Sequence, residues 1–427
     1  MNTEIPNKIG KYRVKKLLGE GTTASVFLAS DPFQDREVAI KVASSAVMDD
    51  PQFGSQYRKF FINEASLAGK LEHPHIIKVY DAAIDNDIHY IVMEYVNGGT
   101  LESYCDVKNL LPIDRAVEII FKCCRALDYA SKLGIIHRDI KPANIMLDEG
   151  GIKIADFGAA LSTGADQTQI MGVVGSLFYM SPEQLNDAEL THQTDIYSMG
   201  VVLYQLLTGQ LPFKAKNQGL LINKILKDTP ESIRNLRTQV PGALEGIVKR
   251  AMERNRNKRY RNWNDFATDL SDIFISLESP DEDISDTKKY NALKSLRFFD
   301  DFTETEIWET LRISRWGKFK PEEEILTEGK LGSSFFVIAT GTMKVMKESK
   351  LLGVLNAGDC FGEMAYISGT AMPRTATVLS TSKVVVIKIK SESLSQSSDN
   401  LQLQFNRMFM KIMASRLAKA DAMLSRI

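Results

Sequence analysis

The sequence is poor in cysteine: Cys105, Cys123, Cys124 and Cys360 are the only four, and no two show Cys-x-x-Cys spacing. A disulfide scaffold is excluded on that count, and reduced thiols in a cytoplasmic protein are expected. The five histidines, His73, His75, His89, His137 and His192, join them in no zinc-ligand pattern. Long apolar runs are also missing, since none approaches the ~18–20 residues that span a bilayer. The opening MNTEIPNKIGKYRVKK has no apolar stretch behind its charges, so neither a secretory signal nor a membrane partner is expected. Excess charge of one sign is absent: 53 Lys+Arg face 54 Asp+Glu, which argues against nucleic acid as a partner. No repeat of solenoid period is visible. What is present is ordinary globular composition, 44% hydrophobic and 25% charged, over 427 residues. One core rarely serves more than ~250–300 residues, so two domains are expected.

Residues 10 to about 100 read mainly as strands, with KYRVKKLL, SVFLAS and REVAIKVA early and HYIVMEYV late, and with one helical segment near 55–71. From about 101 to 277 apolar residues fall at helical spacing, as in AVEIIFKCCRALDYASKL. The polar, acidic stretch SLESPDEDISDTKK then reads as a linker. Beyond it a short helix leads into SSFFVIAT, TMKVMK, TATVLS and KVVVIKIK, punctuated by turn glycines as an antiparallel barrel or jelly roll requires. The last 27 residues return to helical periodicity. The fold class is therefore α+β, with domains at 10–275 and 290–427 and a linker at 276–289.

Gly19, Gly21 and the following Ala24 lie between two strand-like runs, where bare glycine lets a backbone approach a triphosphate. Lys41 sits inside the apolar strand Val38-Ala39-Ile40-Lys41, where burial without a partner is costly. Glu64, twenty-three residues on in the helical run FINEASLAGKL, supplies a carboxylate. The loop His137-Arg138-Asp139-Ile140-Lys141-Pro142-Ala143-Asn144 and then Asp156-Phe157-Gly158 add a base, a cation and two oxygen ligands for Mg²⁺. In this order and at these spacings the motifs resemble the eukaryotic-type (Hanks-type) protein kinase family over roughly residues 10–275. Ser181-Pro182-Glu183 stands where the family has Ala-Pro-Glu, Asp195 matches a further anchor, and Arg259 is the expected partner of Glu183.

The resemblance implies a bilobal kinase fold and a set of roles. Lys41, held by Glu64, contacts the α- and β-phosphates of ATP. Asp139 accepts the substrate hydroxyl's proton, Lys141 steadies the γ-phosphate, and Asn144 and Asp156 bind Mg²⁺. Val26, Ala39 and Met146 enclose the adenine, Met93 is the gatekeeper, and the backbones of Glu94 and Val96 form the hinge. Lys141 in HRDIKPAN resembles the serine/threonine branch, so protein substrates bearing Ser or Thr are implied. Thr168 and then Thr163 are candidate phosphosites in the activation segment, with Arg138 as the cation for a phosphate. A silent pseudokinase scaffold is the competing reading. Such scaffolds usually lose the strand lysine, the loop aspartate or the DFG aspartate, and this chain keeps all three.

In the second domain, Gly362, Glu363 and Ala365 are followed by Arg374 and Thr375. An arginine pairs with the anionic oxygens of a cyclic phosphate and an acid accepts from a ribose 2′-hydroxyl. The stretch resembles the phosphate-binding cassette of cyclic-nucleotide-binding domains, and with the glycine turns upstream the likeness runs over roughly 290–427. It implies cAMP or cGMP as a regulatory ligand of the kinase. Thr375 is similar to the hydroxyl of cGMP-preferring members, though bacterial relatives with it take cAMP. Phe405, Met408, Phe409, Ile412, Met413, Leu417, Met423 and Leu424 form an apolar stripe on the last helix. That stripe fits either its own barrel or a homodimer partner, and a barrel serving only dimerisation or localisation is the alternative to regulation.

Overall fold

The computed structural model describes residues 6–21, 23–51, 54–85, 87–148, 151–157, 161–162, 176–277, 286–368 and 372–424. The chain divides into two compact units, Met1–Ser279 and Pro280–Ile427.

The first unit opens on a six-stranded antiparallel sheet in the order β1-β2-β3-β4-β6-β5. Its strands are β1 (Lys8–Ile9), β2 (Tyr12–Glu20), β3 (Ala24–Asp31), β4 (Arg36–Ala43), β5 (Val79–Asp85) and β6 (Ile88–Glu94). Alternation gives β4 two faces. Val38 and Ile40 pack with Phe27, Ala29 and Val92 in a core on one side, which leaves Ala39 and Lys41 for the other. Between β4 and β5 lie α1 (Ser45–Met48) and α2 (Gly54–Ala68). α2 coincides with the expected helical segment. The four residues of α1 are too few for periodicity to register, so the sequence reading has no helix there.

Helices follow, as expected: α3 (Ile113–Lys132), then, after four short strands, α4 (Pro182–Leu185), α5 (His192–Thr208), α6 (Gln218–Lys227), α7 (Ile233–Leu236), α8 (Gly242–Ala251) and α9 (Trp263–Leu277). The short strands are β7 (Ile135–Ile136), β8 (Ile145–Asp148), β9 (Gly151–Ile154) and β10 (Leu161–Ser162), pairing as β7–β10 and β8–β9. α5 is apolar nearly all round and is buried along most of its length, as such a composition demands. Arg259, with its side chain 0% exposed, forms a two-pronged pair with Glu183 at 2.6 and 3.1 Å. It thereby ties the segment before α9 to α4.

The second unit begins with α10 (Asp286–Ser295) and α11 (Glu304–Ile313). The strands β11 (Ser314–Phe319), β12 (Glu324–Leu326), β13 (Leu331–Gly332), β14 (Ser334–Thr340), β15 (Met343–Lys347), β16 (Lys350–Leu355), β17 (Cys360–Phe361), β18 (Met372–Pro373), β19 (Thr377–Ser380) and β20 (Val384–Lys390) follow. They make two four-stranded antiparallel sheets, β11-β20-β14-β17 and β12-β19-β15-β16, plus the pair β13–β18. This is a jelly roll with flanking helices: α12 (Met364–Ile367), α13 (Ser391–Ser395) and α14 (Asp399–Leu424).

β14 is buried on both faces. Phe336 stacks on Phe361 inside the barrel at 5.1 Å, and Phe335 turns outward against Phe405, Phe409 and Tyr366. The apolar stripe of α14 is thus divided: Phe405 and Phe409 are buried in their own unit, while Leu417 is 64% exposed. The side chains of Met423 and Leu424 lie outside the described residues.

The start of α14 is fixed by a buried acid. Ser398 donates from its backbone N–H to Glu309 Oε1 (2.8 Å) and from its hydroxyl to Oε2 (2.6 Å), while its Oγ accepts from Leu401 N–H. Glu309→Ala removes both acceptors and leaves the donors without partners. We expect it to destabilise the C-terminal unit by about 1–3 kcal/mol, read as a lower midpoint for that unit's transition in a thermal melt. An unchanged midpoint would show that water replaces the acid.

Candidate active site and ligand pocket

Strand register assembles the first site. Val26 lies opposite Lys41 across β3–β4, and Ala39 lies opposite Met93 across β4–β6. Opposed residues share a face, and so do Ala39 and Lys41, two apart on β4. Val26, Ala39, Lys41 and Met93 therefore line one side of the sheet. Gly19 pairs with Val26, and Gly21 closes the intervening turn by donating its N–H to Ala24 O at 2.8 Å. Met146 comes from β8, whose bridge to Thr100 ties it to the segment that leaves β6 at Glu94 and carries Val96. The side chain of Glu94 pairs with Lys153 at 2.8 Å, and Val96 is buried.

Lys41 Nζ donates to both oxygens of Glu64, at 2.8 and 2.9 Å, and to Asp156 Oδ1 at 2.8 Å. Burial alone would lower the Lys41 ammonium, but the Asp156 and Glu64 carboxylates outweigh it and hold it above its ordinary value. The same ammonium holds Asp156 well below the usual carboxylate range. Burial pushes Glu64 up to about 7 against the attraction of Lys41. Lys41 is thus an obligate cation with one exposed acid, Asp156, and one buried acid, Glu64.

The loop after β7 is held from its backbone. Asp195, buried near the start of α5, accepts the N–H groups of His137 and Arg138 at 2.7 Å each. Arg138 and Asp156 both sit at positive φ, 69° and 64°, strained backbone that such ties sustain. The His137 ring meets Phe157 at 4.5 Å, and its Nε2 lies 3.0 Å from Ala155 O. Asp139 Oδ2 accepts from Lys141 Nζ (2.6 Å) and from Asn144 Nδ2 (3.1 Å). Among the described residues its Oδ1 accepts nothing. Asn144 also gives Nδ2 to Asp139 O at 2.8 Å, so its amide oxygen is left as an acceptor. With the exposed Asp156 carboxylate this makes an oxygen donor set, the kind Mg²⁺ takes. Gly158, Thr163 and Thr168 lie outside the described residues.

In the second unit, Gly362, Glu363, Ala365, Arg374 and Thr375 all line a cavity of about 350 Å³. Arg374 Nη1 donates to Gly362 O (3.1 Å) and Nη2 to Ser334 O (2.7 Å), which uses two of its five donors. Burial lowers Arg374, and Glu363 opposes that shift. Two glycines make room for the guanidinium. A Cβ on Gly332 would fall 2.4 Å from Arg374 Nη2, and one on Gly362, already at φ 76°, would fall 3.0 Å from Nη1. Glu363 is 3% exposed and pairs with Arg416 from α14.

Arg416 escapes motif reasoning, because it stands 42 residues beyond Arg374 in a helix. One signal does mark it. It follows Phe405, Phe409 and Ile412 at i+11, i+7 and i+4, a charge set on the apolar stripe.

A family model described as a protein kinase domain matches residues 12–270, and one described as a cyclic nucleotide-binding domain matches residues 316–399. Serine/threonine-protein kinase PrkC of Bacillus subtilis is 37% identical over 267 residues, 62% of this chain and 41% of that protein. Probable serine/threonine-protein kinase PknB of Lactococcus lactis is 37% identical over 264 residues, 61% of this chain and 42% of its own length. Serine/threonine-protein kinase PknB of Mycolicibacterium smegmatis is 35% identical over 268 residues, with 61% and 42% covered. The chain spans about two fifths of the length of these curated relatives, and the aligned part is of kinase-domain size. No helix among the described residues is long and apolar enough to cross a membrane. The bracketed strand lysine, the carboxylate loop and these matches lead to one conclusion: the chain belongs to the protein kinase family and carries a cyclic nucleotide-binding domain behind the kinase domain.

Proposed function

We propose that the protein is a cytoplasmic, ATP-dependent serine/threonine protein kinase whose rate changes when cAMP or cGMP binds its C-terminal domain. The domains are taken as 10–275 and 290–427, joined by a linker at 276–289. The observation that carries the enzyme is the Lys41 ammonium bracketed by Glu64 and Asp156, with the Asp139–Lys141–Asn144 loop tied to the residue before Asp156 by the Ala155 N–H, which donates to Asn144 O at 2.8 Å. ATP lies with its adenine among Val26, Ala39 and Met146, past Met93 and against the backbone of Glu94 and Val96. Its phosphates pass under Gly19 and Gly21 to Lys41. Asp139 Oδ1 is the free acceptor that takes the proton of a Ser or Thr hydroxyl as that oxygen attacks the γ-phosphorus and ADP leaves. Lys141 steadies the γ-phosphate, and Asn144 and Asp156 are the ligands for Mg²⁺. When bound, that ion neutralises charge developing on the transferred phosphoryl group.

Arg138 supports activation by phosphorylation at Thr168 or Thr163: its Nε is buried with no hydrogen-bond partner among the described residues. Leu403, Met410 and Leu417, exposed at seven-residue spacing on α14, support a homodimer through that helix.

The test is transfer of labelled phosphate from Mg-ATP to the chain itself and to a general acceptor protein, without nucleotide and with cAMP or cGMP. Label on Ser or Thr is expected, with a several-fold to ~100-fold change for one nucleotide. No transfer in any lane would favour a silent scaffold. Transfer indifferent to both nucleotides would leave the C-terminal domain a dimerisation or localisation module.

A further inference from the structure

Glu363 lines the cavity, yet its side chain is almost fully buried. Its two oxygens are not equivalent. Oε1 accepts from Arg416 Nη1, whereas Oε2 is buried and accepts from none of the described residues. A buried acceptor of that kind is costly to leave unmade, and it marks where a donor belongs. Arg416 is attached a second time, donating from Nη2 to Cys360 O at 2.5 Å. One guanidinium from α14 therefore spans both sides of Phe361-Gly362, the stretch whose last carbonyl also accepts Arg374.

We infer that Arg416 is a positioning residue for recognition of the sugar. It engages Oε1 and fixes the rotation of the Glu363 carboxylate, so that Oε2 is the acceptor for a ribose 2′-hydroxyl. The inference rests on the cyclic-nucleotide reading of this pocket and adds to it a residue from outside the barrel. It has a thermodynamic corollary. If seating α14 through Arg416 improves the acceptor, then filling the acceptor strengthens the seat of α14 by the same factor. Ribose recognition and the C-terminal helix are then one coupled equilibrium.

The decisive comparison is between ribose ligands and their 2′-deoxy counterparts. Affinities of the two-domain chain for cAMP, cGMP, 2′-deoxy-cAMP and 2′-deoxy-cGMP are measured by calorimetric titration. The wild type prefers the ribose form of its ligand by ~10-fold or more, the size expected of one hydrogen bond to a charged acceptor. Arg416→Met loses most of that preference, and its affinity for the 2′-deoxy ligand stays within ~2-fold of wild type. Arg416→Lys, which can still reach Oε1, recovers part of the preference. Arg416 is half-exposed, so the variants keep the fold, and matching melting curves check this. In a second measurement, the ribose ligand slows amide exchange along α14 more than its 2′-deoxy form does.

An unchanged ribose preference in Arg416→Met overturns the assignment. So does an equal loss for both sugars, which is what a helix that merely covers the pocket would give. Failure of the wild type to bind any of the four ligands overturns the cyclic-nucleotide reading itself, a result distinct from the other two.

Discussion

Asp139→Asn is expected to lower kcat by about 10²–10⁴-fold, the usual contribution of a positioned general base, with KM for ATP nearly unchanged. The substitution keeps the size of the side chain and one oxygen for Lys141 Nζ and Asn144 Nδ2, which both meet Oδ2 at present. It changes the other oxygen, Oδ1, into a position that no longer takes a proton. The nucleotide side of the site is built from other elements, β3, β4 and the Lys41–Glu64 pair, so ATP binding should survive. Steady-state kinetics at varied ATP separate the two parameters, with a melting curve to confirm the fold. A variant within about three-fold of wild type in kcat would mean that Asp139 does not receive the proton. A variant whose KM for ATP rose as steeply as its kcat fell would instead place Asp139 among the groups that hold the nucleotide.

The two sites differ in how far the sequence announces them, and the reason is distance along the chain. Asp139, Lys141 and Asn144 lie within six residues, and the hydrogen bonds among them close inside that loop. Local contiguity makes such a motif readable without a fold. Lys41 and Glu64 are twenty-three residues apart, and they needed only a polar residue in an apolar strand and an acid at helical spacing. Asp195 could be named as an anchor, but its task could not: its oxygens reach back 57 and 58 residues to two backbone N–H groups. Backbone donors leave no trace in side-chain pattern.

The C-terminal pocket lies further along the same scale. Glu363 and Arg374 are eleven residues apart, with Gly362 directly before the acid and Gly369 between the two. The carbonyl of Ser334, which orients Arg374, and the guanidinium of Arg416, which holds Glu363, come from 40 and 53 residues away. The apolar stripe of α14 is likewise more than one surface. A helix has more than one apolar line, and here one faces the Phe335 ring cluster while another carries the exposed Leu403, Met410 and Leu417.

Arg374→Ala should weaken binding of cAMP and cGMP by about 2–5 kcal/mol, ~30-fold to ~5,000-fold, as expected when one member of a buried, hydrogen-bonded charge pair is removed. The number alone would not show that geometry matters as well as charge, and Gly332 provides that control. Gly332 is one residue of β13, opposite Met372, and it has no positive φ that would bar alanine. The three atoms nearest the added methyl would all belong to the guanidinium of Arg374, with Nη2, Nε and Cζ at 2.4–2.8 Å. Gly332→Ala therefore retains the charge and costs little stability, but pushes the guanidinium off the carbonyls of Gly362 and Ser334. Calorimetric titration of the two-domain chain is expected to show a loss of at least ~10-fold for Gly332→Ala, short of the loss for Arg374→Ala. If Gly332→Ala bound like wild type, a positive charge near the cavity would suffice and the seat of Arg374 would have no part in recognition. If it unfolded the C-terminal unit, the methyl would be striking something less yielding than an arginine tip. The intermediate result alone fits a phosphate site in which two small residues are kept bare so that one guanidinium can lie flat.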